Sequence, residues 1–324
     1  GHELTPLTMP LGSTPSTIGV LNCGQDSSFA GAKTPQGNAD SGGIGDFFYQ
    51  PPSGFLALCT ANLPSADVIP SKNFNPVIYS GTNTDNRVLS GVGFTPDLGI
   101  FKRRNGSGPP QFFDTLRGAT KQLRSDNAAA ESTQGNKQKT FTSDGYTLGT
   151  DAQINGSGGT YVAWNWKAGG SASSNSNGSI TSQVSVNAAA GFSIVTYTGT
   201  GSNATVGHGL SIAPELVIVK NRDDSSKNWN SYVKVLGNSY IDLNRSNGVY
   251  TGSTYFQNTA PSSTVFSIGA AGSSNEDDDK FIAYAFHSVA GYSKIGLYKG
   301  NAGAFKFVYC GFAPAVIITK SIGG

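Results

Sequence analysis

Cysteine, charge and long apolar runs are all scarce in this chain, and each scarcity removes a class of function. Cysteine occurs three times in 324 residues, at Cys23, Cys59 and Cys310. An odd count without a C-x-x-C pair supports neither a disulfide framework nor a thiolate zinc site. The three are expected to be buried free thiols acting as small hydrophobes. Asp, Glu, Lys and Arg make up 13% of the residues, against about 25% in ordinary soluble domains. The net charge is +2 with the basic residues scattered, whereas nucleic-acid binding needs them gathered on one face. The longest apolar run, around Ala315 to Thr319, is far below the ~18 residues of a membrane span. Gly1-His2-Glu3-Leu4 has neither the basic start nor the apolar core of a signal peptide. No G-x-S-x-G, H-E-x-x-H or phosphate-loop pattern occurs, and His208 and His287 stand isolated. No enzymatic activity and no cofactor is therefore expected.

What the chain has is glycine, 43 residues of it, roughly twice the usual share of about 7%. Ser, Thr and Asn fill much of the rest, and no segment carries capped helical periodicity. That mixture favours short strands joined by tight turns, so an all-β fold is expected. Asn105-Gly106, Asn155-Gly156, Asn177-Gly178 and Asn247-Gly248 read as hairpin turns, since both residue types tolerate positive φ. The first three also open Asn-x-Ser sequons, which stay unmodified without secretion.

Internal repetition sets the architecture. Tyr79-Ser80-Gly81 precedes Pro96-Asp97-Leu98-Gly99-Ile100-Phe101-Lys102. Tyr197-Thr198-Gly199 precedes Pro214-Glu215-Leu216-Val217-Ile218-Val219-Lys220. Tyr298-Lys299-Gly300 precedes Pro314-Ala315-Val316-Ile317-Ile318-Thr319-Lys320. The Tyr-to-Pro separations are 17, 17 and 16, and Pro-to-Lys is 6 each time. In the first two copies the register continues through Leu123 and Leu243 to Tyr161-Val162-Ala163-Trp164-Asn165-Trp166 and Phe281-Ile282-Ala283-Tyr284-Ala285-Phe286. The Pro-led apolar runs read as strands covered on both faces. Val162, Trp164 and Trp166, like Ile282, Tyr284 and Phe286, share one strand face, which reads as core.

Tandem β-sandwich modules of jelly-roll or concanavalin-like type follow. Residues 1–64 close a preceding β domain, 65–170 form repeat 1, and 180–292 form repeat 2. Residues 293–324 begin a third copy, whose apolar strand has no partners to bury it. The Gly/Ser/Asn stretch from Lys167 to Gly178 reads as a linker.

Phe47-Phe48-Tyr49-Gln50-Pro51-Pro52-Ser53-Gly54-Phe55-Leu56-Ala57-Leu58-Cys59-Thr60-Ala61-Asn62-Leu63-Pro64 resembles the junction in tail-fibre and tail-associated proteins of marine bacteriophages, cyanophages among them. There a SPRY-like, lectin-like sandwich ends in a phrase of this type, and Asn22-Cys23-Gly24-Gln25 resembles its closing part. Gly191-Phe192-Ser193-Ile194-Val195-Thr196-Tyr197-Thr198-Gly199-Thr200, Val206-Gly207-His208-Gly209-Leu210 and Tyr161 to Gly169 resemble the modules that follow. The resemblance implies a virion appendage made in the host cytoplasm, with a homo-oligomer, most readily a trimer, among its partners. The other partners it implies are further virion proteins and a host-surface glycan or protein.

Weaker candidates concern contacts. Trp229, in a polar run, could stack on a sugar face, with Asp223, Asp224 and Arg103 nearby in their copies; a Trp packed on its own module is the alternative. Arg104 aligns with Arg222, which favours a structural role there. Glu276, Asp277, Asp278 and Asp279 offer carboxylates to a hard cation. They lack alternating spacing, however, and repeat 1 has Asn155-Gly156-Ser157-Gly158-Gly159 at that place, so a solvated loop is expected and no metal. The expected function is structural and adhesive attachment by multivalent weak contacts. The alternatives are a non-binding virion or extracellular filament component and a glycan-degrading domain, whose two carboxylates could converge from distant loops.

Overall fold

The computed structural model describes residues 26–29, 31–57, 59, 62, 68–300 and 307–323. The chain divides into two compact units, residues 1–65 and 66–324. In the first, Asp40 organises the described part. Its carboxylate accepts from the backbone N–H groups of Ala57, Ile44 and Gly42 and from Asn62 Nδ2, at 2.7–3.0 Å. These donors, Ala57 foremost, hold its pKa down at about 2.

In the second unit, repeat 1 supplies β1 (Phe74–Ser80), β2 (Arg87–Leu89), β3 (Leu98–Arg103), β4 (Gln111–Asp114) and β5 (Lys121–Arg124). It continues with β6 (Ser132–Thr133), β7 (Gln138–Thr142), β8 (Gly145–Leu148) and β9 (Thr160–Trp166). Repeat 2 supplies β10 (Ser173–Asn175), β11 (Ser182–Asn187), β12 (Phe192–Thr198), β13 (Ala204–Gly207) and β14 (Leu216–Asn221). Then come β15 (Asn230–Val233), β16 (Ser239–Asp242), β17 (Tyr250–Thr251), β18 (Val265–Ile268) and β19 (Lys280–Phe286). Two one-turn helices, α1 (Ser253–Phe256) and α2 (Gly272–Asn275), are the α-helices of the described residues. The fold is all-β, and every strand pair is antiparallel.

Each repeat is a large sheet backed by a small one. The order β1-β9-β3-β4-β5-β6 faces β2-β8-β7 in repeat 1; β10-β11-β12-β19-β14-β15-β16-β17 faces β13-β18 in repeat 2. Ladder registers coincide: Trp164 sits between Pro76 and Ile100, and Tyr284 between Ile194 and Ile218. Trp164 and Tyr284 thus hold equivalent positions. By the same ladders Leu123 corresponds to Ile241, two residues before the Leu243 that the sequence alignment selects.

The Tyr-x-Gly signature has a mechanical cause. Tyr79 stacks on Tyr161 at 5.2 Å, and Tyr197 on Phe281 at 5.0 Å. Their hydroxyls donate to the carbonyls of Ile154 and Ser274 at 2.6 and 2.7 Å. A Cβ on Gly81 or Gly199 would collide with the carbonyl of Gly156 or Glu276, so only glycine fits beside the returning loop.

Apolar residues on alternate faces of the large sheets serve different cores. Phe101, Phe113, Tyr161 and Ala163 join the core inside repeat 1, and Val195, Val217, Val219 and Phe281 the core inside repeat 2. Leu98, Ile100, Phe112, Leu123, Phe192, Ile194, Ile282 and Tyr284 form a third core, with Trp164, Trp166 and Phe286 packed against it. That core lies between the two large sheets. The continuous apolar runs are covered on both faces, as expected. The Trp164/Tyr284 face is core, but it is the core between repeats. Tyr284 is buried, while Trp164, Trp166 and Phe286 stay half-buried at its margin.

Three further expectations change. The stretch from Lys167 to Gly178, though mostly exposed, is tied to repeat 2: it contains β10, and Gly169 lies so close to Val186 that a Cβ would strike the Val186 backbone. Among the described residues of 293–324 no strand forms, and Ile317 and Ile318 are each 72% exposed. Cys59 and Cys310 are free thiols but half-buried, since neither sits in a repeat's core; Cys23 lies outside the described residues.

Candidate functional site

The junction between the repeats gathers a network of buried polar groups. At its centre the Arg117 guanidinium is buried. Its Nε donates to Asp114 Oδ2 at 2.6 Å, and its terminal nitrogens donate to the carbonyls of Lys121 and Phe112 and to Glu131 Oε2. Tyr284 of repeat 2 donates its hydroxyl to the same Asp114 Oδ2 at 2.7 Å. Burial, the largest single influence, would lower the pKa of Arg117, but Asp114, Tyr284 and Glu131 together outweigh it and keep the guanidinium above its ordinary value. Arg222 of repeat 2 grips Glu131 of repeat 1 through two N–H bonds of 2.9 Å. Burial pushes the Glu131 carboxyl up; Arg222 and Arg117 more than reverse it and hold the group ionised.

Lys220, the lysine closing the second Pro-strand-Lys unit, is fully buried. Its ammonium donates to the carbonyls of Ala128, Asn221, Asp224 and Lys227 at 2.6–3.4 Å, tying the 221–227 loop to repeat 1. Burial lowers its pKa to about 8. Lys102 and Lys320 also donate to loop carbonyls, of Gly108 and of Arg245 and Asn247. The repeated lysine is a loop fastener.

Trp229 is not available to a ligand: it is 0% exposed. Its ring packs 5.1 Å from Phe112 of repeat 1, and Nε1 donates to the Arg124 carbonyl at 2.8 Å. The polar residues beside it face the other way, where Asn228 and Asn230 donate to Asp242. Nothing brings Arg103 to Asp223 and Asp224. Arg103 bonds Asn105, whereas Asp223 accepts from the Lys280 N–H and Asp224 from Ser226. Arg104 and Arg222 do hold equivalent backbone places, donating to Thr160 and Lys280 carbonyls, but the Arg104 side chain is exposed while Arg222 spans the junction.

The four acids before β19 do not converge. Glu276 turns to Lys227 at 3.4 Å, and Asp279 accepts from Asn221 Nδ2 at 2.7 Å. Among the described residues no three His, Cys, Asp or Glu side chains gather as a metal would require. Nor is any described helix long and apolar enough to cross a membrane.

Sequence reasoning passed over Asn155 and Asn275. Each Oδ1 accepts from the N–H after the Tyr-x-Gly unit, that of Thr82 at 3.1 Å and of Thr200 at 2.8 Å. The signal was present: both asparagines recur in register, but Asn155-Gly156 reads as a turn. In the sequence His208 stands isolated, with no motif around it. It is fully buried, accepting from the Leu210 N–H through Nδ1 and facing the Ser262 carbonyl through Nε2. Burial lowers its pKa to about 4.

An open recess lies at the junction, with a volume of about 660 Å³. Asn73 and Thr95 line it from repeat 1, Lys167 to Gly170 from the connecting segment, and Val186 to Ala189 from repeat 2. Asn187 Nδ2 donates to Asn73 Oδ1 at 2.7 Å and to the Lys167 carbonyl at 3.2 Å, joining the walls. Beneath, Asp97 accepts from Ala168 N at 2.7 Å and from Thr115 Oγ1 at 3.2 Å. Burial raises its pKa against the pull of these donors.

No curated protein and no solved structure matches the chain. One family model does, over residues 69–324, which takes in both repeats, their junction and the tail. The chain belongs to that family, described as a domain of unknown function, DUF7483.

Proposed function

We propose that the chain is a structural and adhesive segment of a bacteriophage tail fibre or similar virion appendage, attaching to a host surface through many weak contacts. The observation that carries this reading is the interlocking of the repeats. A shared core, the Arg117 network and the Lys220 fastener join them, where a flexible linker would leave beads on a string. Neighbouring modules with a common core transmit orientation and load along an array, which a fibre requires. The resemblance of the module phrases to marine phage tail-fibre proteins supports the same reading. Repetition multiplies any weak contact.

A homotrimer is part of the proposal. Ile78, Val88 and Ile212 expose 65, 65 and 56% of their surface, and symmetry-related copies would cover such residues. Interlocking would equally suit a spacer that binds nothing. The purified chain should compete with virions for host cells and should scatter light as a trimer. A chain that leaves infection unaffected at saturating concentration favours the spacer, and a monomer at micromolar concentration removes the trimer.

A further inference from the structure

The recess at the repeat junction exists only because the repeats are packed together. Its walls come from Asn73 and Thr95 on one side, Asn187 and Ala188 on the other, and Lys167 between them, with the buried Asp97 carboxylate at the floor. The connecting segment can line it because Gly169 lies flat on Val186, with its N–H donated to Ser185 Oγ at 2.9 Å. The two asparagine amides are fixed by bonds across the junction, so the polar lining is ordered without a ligand. Lys167, Thr95, Ala188 and Ala189 are exposed at the rim; the Lys167 ammonium forms no salt bridge among the described residues, and its charge acts on the Asp97 carboxylate beneath.

The chemistry of this lining selects among ligands. The recess is an open depression of about 660 Å³, so a ligand seated in it keeps part of its surface in water, unlike one in an enclosed cleft. It lacks aromatic walls and large aliphatic side chains, so an apolar compound would bury little against it. A single cation is too few for a polyphosphate. Hydroxyl, amide, ammonium and peptide groups interleaved with alanine methyls match a sugar ring, which offers hydroxyls at its edge and C–H groups on its face. We propose that this recess binds a saccharide unit of a cell-surface polysaccharide. Thr95 Oγ1 and Asn187 Oδ1, whose side-chain hydrogens already serve Ser143, Asn73 and Lys167, accept from its hydroxyls, and Lys167 at the exposed rim favours units that carry a carboxylate. The inference rests on the adhesive reading and gives it a place and a ligand class.

The test uses the 324-residue chain on an array of neutral and acidic bacterial polysaccharide fragments, with intact host cells in parallel. Ala188→Trp fills the recess and Lys167→Ala removes its cation; both positions are exposed, so melting temperatures should not move. Saccharide binding should fall by about tenfold or more in Ala188→Trp. Lys167→Ala should weaken acidic fragments and leave neutral ones bound. If the chain binds cells but no fragment, or Ala188→Trp binds fragments as well as the parent, the recess is not the site while adhesion stands. If the parent binds neither cells nor fragments, both ideas are overturned.

Discussion

The indole N–H of Trp229, in the second repeat, donates to the carbonyl oxygen of Arg124, in the first, at 2.8 Å. The same ring is fully buried against Phe112. Packing and hydrogen bonding across the junction therefore meet in one side chain. Trp229→Ala would leave a cavity between the repeats and cost about 3–5 kcal/mol. Trp229→Phe keeps most of the packing but strands the Arg124 carbonyl, and should cost about 1–3 kcal/mol. Urea titration checks both. A Trp229→Ala chain as stable as the parent would show that the repeats hold together without this contact.

The buried ion pair makes a second, independent link. Removing the charge by Arg117→Met leaves Asp114 inside a low-dielectric junction with Tyr284 as its remaining side-chain donor. Breaking one partner of such a pair costs about 3–5 kcal/mol. Tyr284→Phe alone should cost less, because Arg117 still satisfies Asp114. In the double variant the two losses should not add, since both act through one carboxylate. Strict additivity in a double-mutant cycle would dissolve the network into unrelated contacts.

Much of this was readable from residue order. Leu98-Gly99-Ile100-Phe101 is a run without polar alternation, and its residues do face two cores. Tyr79-x-Gly81 recurs because a stacked ring and a Cβ-free backbone are both needed where the loop returns. What could not be read is which surface covers the second face. Trp229 sits between Asn228 and Asn230, so its neighbours describe a polar loop; the sheet that buries it is contributed some hundred residues earlier. The segment from Lys167 to Gly178 misled for a related reason. Glycine and serine signify flexibility by composition, yet Gly169 is there to let two backbones touch.

Lys220 offers a prediction about the loop fastener. Lys220→Met keeps the apolar stem but withdraws the donor shared by four carbonyls, that of Ala128 in repeat 1 and three in the 221–227 loop. The 221–227 loop should then exchange its amide hydrogens faster, and stability should fall by roughly 1–3 kcal/mol. Protection across 221–227 identical to that of the parent would mean that the neighbouring Asn221 bonds suffice.

Acid should loosen the second repeat through His208. The ring is neutral in the fold, with its pKa lowered from 6.5 to about 4 by burial. An unfolded chain, with the ordinary value, takes up a proton first as the pH falls. The contribution is thus fully present above pH 6.5 and declines as pH drops toward 4, by about 3 kcal/mol in all. Carboxylates held low, such as Glu131 by Arg222 and Arg117, add their own loss only below the ordinary carboxylate range. A melting-temperature profile should therefore descend in two stages. His208→Gln, which keeps a donor and an acceptor in the same place, should flatten the stage between pH 6.5 and 4 and leave the lower one intact. An unchanged upper stage in His208→Gln would move the acid sensitivity to another group.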